Sequence, residues 1–407
     1  MLTYTYEARN TSTGQKIKST VQAENEQVAA KLLIQQGLSP ISIKLDKKKS
    51  GTSGLFNKVR SKDKVLFSRQ LSTLINAGLP LVQSLRSVAE QTTSKPLKVV
   101  INQVITDVEA GTAFSNALAK HPTVFNRVFV SLVNAGETSG TLDSGLERLA
   151  DQQEKDADML SKVRGAMIYP AIVLAVMIAV VGFMVVKVLP QVQGIYATIP
   201  GATLPLVTRI MLDISNFVIN YWWLAIIILV ILTFAIRSGS KTDEGRGLID
   251  KFKMKAWPFG PLFMKMYMAR FARTGTTLVA SGVPLLQVLS ITADAVDNVH
   301  ITKSLRYAAD KVKGGKSLSE AIGNDPNFLE LVPNMIKIGE QSGAMESMLE
   351  KIASYYEKEV DNEIKAISTI IEPVLMVLMG GIALTIVAAV LLPIYSLVGQ
   401  SGFNSGI

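Results

Sequence analysis

The chain has 407 residues, 48 % of them hydrophobic, and a formal net charge of +9, a length that holds two or three domains with cores of their own. Cysteine is absent and histidine occurs only at 121 and 300, which excludes disulfides and thiolate metal sites and argues against a zinc centre. The cations are spread over the polar segments and gather beside the apolar ones, with no aromatic stacking platform or reading helix, so they point to anionic lipid headgroups and not to nucleic acid.

In chain order, residues 1–46 read as a small α/β element. Strand-like runs carry Tyr4 and Tyr6, Val21, and Ile41 with Ile43, and a helix is predicted from Glu24 to Gln36. No charged flank and apolar core of a signal peptide opens the chain, so the first apolar run is expected to stay in the mature protein. Residues 47–61, rich in Lys, Ser and Gly, form a predicted linker.

Helical periodicity then dominates. A first bundle is predicted over 62–165: a helix near Lys62–Ala77 with Leu66, Phe67, Leu71, Leu74 and Ile75 on one face, stopped by Gly78, and a second with Pro80 at its first position. Helices follow at about 95–110, 113–120 and 124–135, and a long one runs from Thr141 without a breaker until it enters the membrane at Pro170. A second bundle over 262–368 repeats this order. Phe67 to Leu85 recurs as 271 to 289, with Phe, Arg, Thr, Leu, Gly, Pro, Leu, Gln and Leu in identical places. Gly136, Glu137, Ser139 and Gly140 return as Gly339, Glu340, Ser342 and Gly343, and Pro170 returns as Pro373. A doubled unit joining a helical bundle to an apolar run reads as a two-fold scaffold more than as a catalyst. The fold class is therefore an all-α membrane protein with two duplicated bundles, each continued into a transmembrane helix, beside the N-terminal element.

Three stretches are long enough to cross a bilayer, which takes about 20 apolar residues. They are 166–189, 214–236 and 369–397. A buried helix of a soluble protein rarely runs so far without charge. The loop at 190–213 holds only Arg209 and Asp213, and the tail at 398–407 is uncharged. Lys162 and Arg164 precede the first span, whereas Arg237, Lys241, Lys251, Lys253 and Lys255 follow the second in the connection at 237–261. The positive-inside rule then puts both bundles and the N-terminus in the cytoplasm and the C-terminus outside.

Chemistry-bearing motifs are few. Gly314-Gly315-Lys316-Ser317 looks like the end of a phosphate loop, but the position needing the first glycine is Asp310, and the parallel stretch Ala110 to Ala113 lacks the lysine. No catalytic residue, cofactor or metal site is expected. Glu147 with Asp151, and Glu357 with Asp361, have a spacing that could hold calcium or simply make a solvated acidic face. In the turns Gly136–Gly140 and Gly339–Gly343, glycines at both ends permit positive φ and close backbone approach. Glu137 and Glu340 could cap the helix that follows or meet a basic partner. Glu372, beside Pro373 where the third span begins, is either a functional carboxylate or an N-terminal cap. Gly380 and Gly381, with Thr385 a turn on, would allow self-association. A repeat-built transporter or channel is the alternative reading, weakened by the absence of a broken polar helix at mid-membrane.

Together, the Gly-x-Pro-Leu turns at Gly78–Leu81 and Gly282–Leu285, the paired Gly-Glu-x-Ser-Gly turns, the Tyr-Pro and Glu-Pro steps into the membrane and the three spans resemble the GspF/PilC family, the inner-membrane platform proteins of type IV pili and type II secretion systems. The resemblance covers essentially the whole chain. It implies a non-catalytic, self-associating platform that works with a hexameric cytoplasmic assembly ATPase, with pilins or pseudopilins and with other inner-membrane assembly proteins.

Overall fold

The computed structural model describes residues 2–10, 16–23, 28, 30, 38–45, 59–197, 206–239 and 242–404. The N-terminal unit is a three-stranded antiparallel sheet in the order β2-β1-β3, from β1 (Leu2–Asn10), β2 (Lys16–Ala23) and β3 (Leu38–Leu45). The β1–β3 register slips between Glu7 and Ala8, next to the pairing with Pro40. A proline fits there because β3 is an edge strand with no donor to lose. Of the helix expected at 24–36, only Val28 and Ala30 lie among the described residues, and both are helical. The linker at 47–61 falls almost wholly outside them.

The second unit, from Ser61 on, is helical. Repeat 1 comprises α1 (Ser61–Asn76), α2 (Leu81–Gln91), α3 (Lys95–Glu109), α4 (Phe114–Ala119), α5 (Arg127–Ser139) and the long α6 (Leu142–Phe183). A π-helical turn (Met184–Val188), α7 (Leu189–Ala197), α8 (Leu206–Gly239) and α9 (Asp243–Lys255) follow. Repeat 2 is α10 (Gly260–Ala280), α11 (Leu285–Ala295), α12 (Val299–Lys313), α13 (Leu318–Ile322), α14 (Leu331–Ser342) and α15 (Met345–Asn404).

The two repeats are built alike down to their cores. Phe67 meets Phe125 at 5.6 Å between ring centroids, and the corresponding Phe271 meets Phe328 at the same 5.6 Å. Gly78 and Gly282 take φ of +84° and +76°, the left-handed stop that lets each first helix end at no steric cost. Pro80 and Pro284 stand at the N-cap of α2 and α11, one place before the helical position expected of Pro80, with extended φ and ψ. On α1 the buried face is Phe67, Ser68, Leu71 and Ser72; Leu66, expected on it, is exposed.

The long helices join each bundle to an apolar span. α15 has 60 residues, about 90 Å at the α-helical rise, and α6 has 42. They run parallel: Arg148, Lys155 and Lys162 of α6 reach Glu346 (3.7 Å), Glu357 (3.7 Å) and Asp361 (2.8 Å) of α15 in the same order. Among the described residues, three helices are apolar and long enough to cross a membrane. The parallel run of the first and third puts the two bundles at one membrane face, and α8 is the return crossing. Residues 190–213, expected as a loop, hold most of α7 and the first turns of α8, and the connection at 237–261 holds α9.

Candidate functional site: the seam between the repeats

Each Gly-Glu-x-Ser-Gly segment is mostly helix. Gly136 and Gly339 lie inside α5 and α14, and only Gly140 and Gly343 adopt positive φ, at +73° and +68°. The two expected uses of these glycines are divided between the ends: Gly136 serves close backbone approach, since a Cβ there would come 3.0 Å from the Cα of Leu142 and 3.2 Å from the Thr141 carbonyl. The glutamates do not cap the following helix either. Glu137 accepts from the backbone N–H of Phe114 (2.6 Å) and Ser115 (2.9 Å), at the start of α4. Glu340 accepts from Leu318 (2.5 Å) and Ser319 (3.1 Å), and from the Ser319 hydroxyl, at the start of α13. A carboxylate satisfies orphan donors and complements the positive helix end, so each motif pins a short helix to the one before the long helix. Gly315, with φ of +90°, and Gly111, with +87°, are ordinary helix-to-helix turns, and Lys316 pairs with Glu320 at 2.8 Å.

The acidic residues have side-chain partners, Glu147 and Asp151 at exposed positions. Asp151 and Glu154 receive the Arg69 guanidinium, with Nε to Glu154 at 2.7 Å. Arg273 donates to Glu357 (2.7 Å) and Glu350 (2.5 Å). Glu147 accepts from Asn76 at 3.4 Å, and Asp361 takes Lys162. Arg69 and Arg273 occupy the same place in the duplication, as do Glu154 and Glu357. Each repeat thus carries a guanidinium clamp between its first and long helices. Charge-assisted hydrogen bonds raise both arginines above the ordinary value, against the opposing effect of burial at Arg273.

Across the seam, Gln152, 6 % exposed, donates through Nε2 to the Thr274 hydroxyl at 2.9 Å. Arg127 reaches Asp294 at 2.7 Å, and Arg306 of repeat 2 joins it at 3.1 Å. Burial pushes the Asp294 carboxyl up, but those two hydrogen bonds outweigh it and hold it below the usual carboxylate value. Asp156 has the opposite fate. It stands 3.9 Å from the Arg270 Nε, beyond hydrogen-bond reach, and its Oδ1 is buried without a hydrogen-bond partner. Burial therefore raises its pKa, with Glu357 adding to the rise and Arg270 and Arg273 only partly countering it. Asp156, Gln152, Arg270, Thr274 and Asp294 share the wall of a polar crevice of about 370 Å³.

Of the residues expected at the membrane entry, Pro170 is buried within an unbroken α6, and Glu372 and Pro373 are exposed within α15. Glu372 is mid-helix, where no terminal amides are orphaned, so it caps nothing. Ile172, Val173, Val176, Met177 and Val180 of α6 face Met379, Ile382, Ala383 and Ile386 of α15 across an apolar groove. The arginine clamps and the Gln152–Thr274 bond were not singled out from the sequence. The identity of Arg69 with Arg273 and of Glu154 with Glu357 across the duplication was the available signal; the Gln152 pairing left none.

The architecture is that of a membrane-spanning duplicated scaffold, two helical bundles each fused to a span. The family model of type II secretion system protein F matches residues 67–190 and again 271–393, and that of its N-terminal domain matches residues 1–44. The chain belongs to the type II secretion system protein F family. It is 37 % identical over 409 residues to the type IV pilus assembly protein PilC of Thermus thermophilus, covering 98 % of this chain and 99 % of the relative. It is 35 % identical to PilC of Myxococcus xanthus, over 97 % and 95 % of the two chains. To type II secretion system protein F of Vibrio cholerae it is 32 % identical, over 97 % and 98 %.

Proposed function

We propose that this protein is a non-catalytic platform of the bacterial inner membrane that couples a cytoplasmic hexameric assembly ATPase to the insertion of pilin or pseudopilin subunits into a fibre, in type IV pilus biogenesis or type II secretion. The observation that carries this reading is the pair of parallel long helices, each starting in a clamped bundle and ending across the bilayer, bonded to each other at Arg148, Lys155 and Lys162. A tilt imposed on one bundle is carried along a continuous helix to the apolar groove between α6 and α15, where a pilin's own membrane segment is proposed to lie. The family membership, and relatives bearing the names of pilus assembly and secretion proteins, support the same role. Charge asymmetry supports a cytoplasmic N-terminus and a periplasmic C-terminus. The exposed turns at Gly140 and Gly343 are proposed contact points for the assembly partners.

Deleting the gene is expected to abolish surface fibres, or secretion of the system's cargo, with pilin levels unchanged, and the tagged protein is expected to co-purify with the ATPase. Normal assembly in the deletion strain would overturn the reading.

A further inference from the structure

Span α8 does not lead straight into repeat 2. Thr242 donates from both its amide (3.1 Å) and its hydroxyl (2.9 Å) to the carbonyl of Gly239, the last residue of α8, and its hydroxyl then accepts from Gly245 as the N-cap of α9. Helix α9 therefore starts at the very end of a membrane-crossing helix. Its rotation is fixed by repeat 2: Asp250, buried, accepts from the Val299 amide at 3.0 Å, the Gly247 carbonyl meets the His300 ring at 2.9 Å, and Arg246 pairs with Asp297.

The opposite face holds Leu248, Lys251, Phe252 and Lys255, spaced as neighbours on one helix stripe. Leu248 is 71 % exposed and Phe252 74 %, and Trp257 just beyond the helix is 78 % exposed. Large apolar groups so uncovered need a partner. Their place in the chain identifies it. Helix α9 begins at the end of the second span, where Thr242 is bonded to the Gly239 carbonyl, so it starts at the level where that span meets the bundles. A stripe combining leucine and phenylalanine with lysines, and a tryptophan at its end, is the composition of a helix lying in the plane of a membrane surface.

We propose that α9 is an interfacial helix resting on the bilayer face that carries the two bundles, with Leu248, Phe252 and Trp257 at headgroup depth and Lys251 and Lys255 on anionic lipid phosphates. It would anchor repeat 2 against the membrane.

Because the chain has no cysteine, the full-length protein can be spin-labelled at single sites: Leu248→Cys, Phe252→Cys and, as an exposed control, Asn324→Cys. In nanodiscs containing phosphatidylglycerol, labels at 248 and 252 are expected to collide with oxygen several-fold more often, relative to a water-soluble nickel chelate, than the label at 324. Adding Lys251→Glu and Lys255→Glu is expected to reduce that preference. Nickel access at 248 and 252 equal to that at 324 would overturn the proposal. So would exclusion of both oxygen and nickel, which would mean that a second copy or another protein covers the face. A preference unmoved by the charge reversal would overturn the assignment to anionic lipid. None of these results bears on the platform reading, which does not depend on what α9 touches.

Discussion

Asp156 of repeat 1 and Glu359 of repeat 2 occupy the same position of the duplicated long helix, related by the offset of 203 residues that carries Glu137 to Glu340. Glu359 accepts from Lys265 at 2.9 Å and from Asn362, and those hydrogen bonds hold it below its ordinary value. Lys265 has no counterpart in repeat 1, where the equivalent residue is Ser61. Asp156 is turned into the seam and left without a hydrogen bond on Oδ1. Duplication has kept the caps, the left-handed glycines and the ring pair, which are local or within one bundle. It has let the outward face of the long helix diverge, because in one copy that face meets an added lysine and in the other it meets the sister repeat. Pseudo-symmetry here belongs to the bundles, and the seam is where it ends.

The clamps offer the strongest way to break the comparison. Arg273 is 12 % exposed and its partner Glu357 15 %, whereas Arg69 is 34 % exposed and Asp151 and Glu154 more so. Removing one member of a largely buried pair strands the other, so Arg273→Ala is expected to cost about 3 kcal/mol, while Arg69→Ala, at a wetter site, is expected to cost about 1 kcal/mol or less. Thermal unfolding of the full-length protein in detergent measures both, and equal losses would show that the two clamps are equivalent in spite of their burial. Next come the close-approach glycines. Gly136→Ala drives a methyl against backbone on the far side of the turn, while Gly339→Ala meets the Met345 Cα at 3.2 Å and the flexible Met348 side chain. Costs of about 2 and about 1 kcal/mol are expected, and the reverse order would mean that the α5–α6 turn yields more easily than its copy. Removing the caps, Glu137→Ala and Glu340→Ala, is expected to cost about 1 kcal/mol each. The loss should be slightly larger at Glu340, which also holds the Ser319 hydroxyl. Faster proteolysis at the α13 end than at the α4 end would check the order.

The elements most legible in the sequence are those whose cause is local. Period-3.6 patterning with Gly78, Gly111 and Pro122 as punctuation delimits α1 to α4 closely, and the duplication transfers those limits to α10 to α13, whereas α5 starts later than expected and runs on through the Gly-Glu-x-Ser segment to Ser139. Helix α9 is not legible in that way. Its apolar stripe is interrupted by lysines and directed outward, so it lacks the core-facing pattern that marks the others. The roles of Glu137 and Glu340 were hidden for a different reason. Their carboxylates act on amides 21 to 23 residues back along the chain, and nothing in the motif indicates that its target lies behind it and not ahead. Seam contacts such as Gln152–Thr274, 122 residues apart, depend on how two folded bundles meet and leave no trace in either segment alone.

The smallest effect is also the one that separates the two carboxylates of the seam. Asp294, held below the usual 3.8, contributes stability that is fully present above the unfolded pKa and is lost as the pH falls through its lower folded value. Asp156, raised above 3.8 by burial, acts with the opposite sign. Its folded form resists ionisation, so it subtracts stability as the pH rises past the unfolded value, fully so above its folded pKa, and not at all in acid below both. Asp294→Asn is therefore expected to lower the melting temperature at neutral pH and to flatten the acid limb of stability against pH. Asp156→Asn, which keeps the shape and removes the poorly solvated charge, is expected to raise the melting temperature at neutral pH by a few degrees or less, on the order of 1 kcal/mol, and to leave it unchanged in acid where Asp156 is protonated in both the folded and the unfolded chain. A loss at neutral pH from Asp156→Asn would mean that its attraction to Arg270 outweighs its burial, and the seam would then be closed by that ion pair. A gain would show that burial outweighs that attraction, so that the seam holds a carboxylate oxygen it does not satisfy.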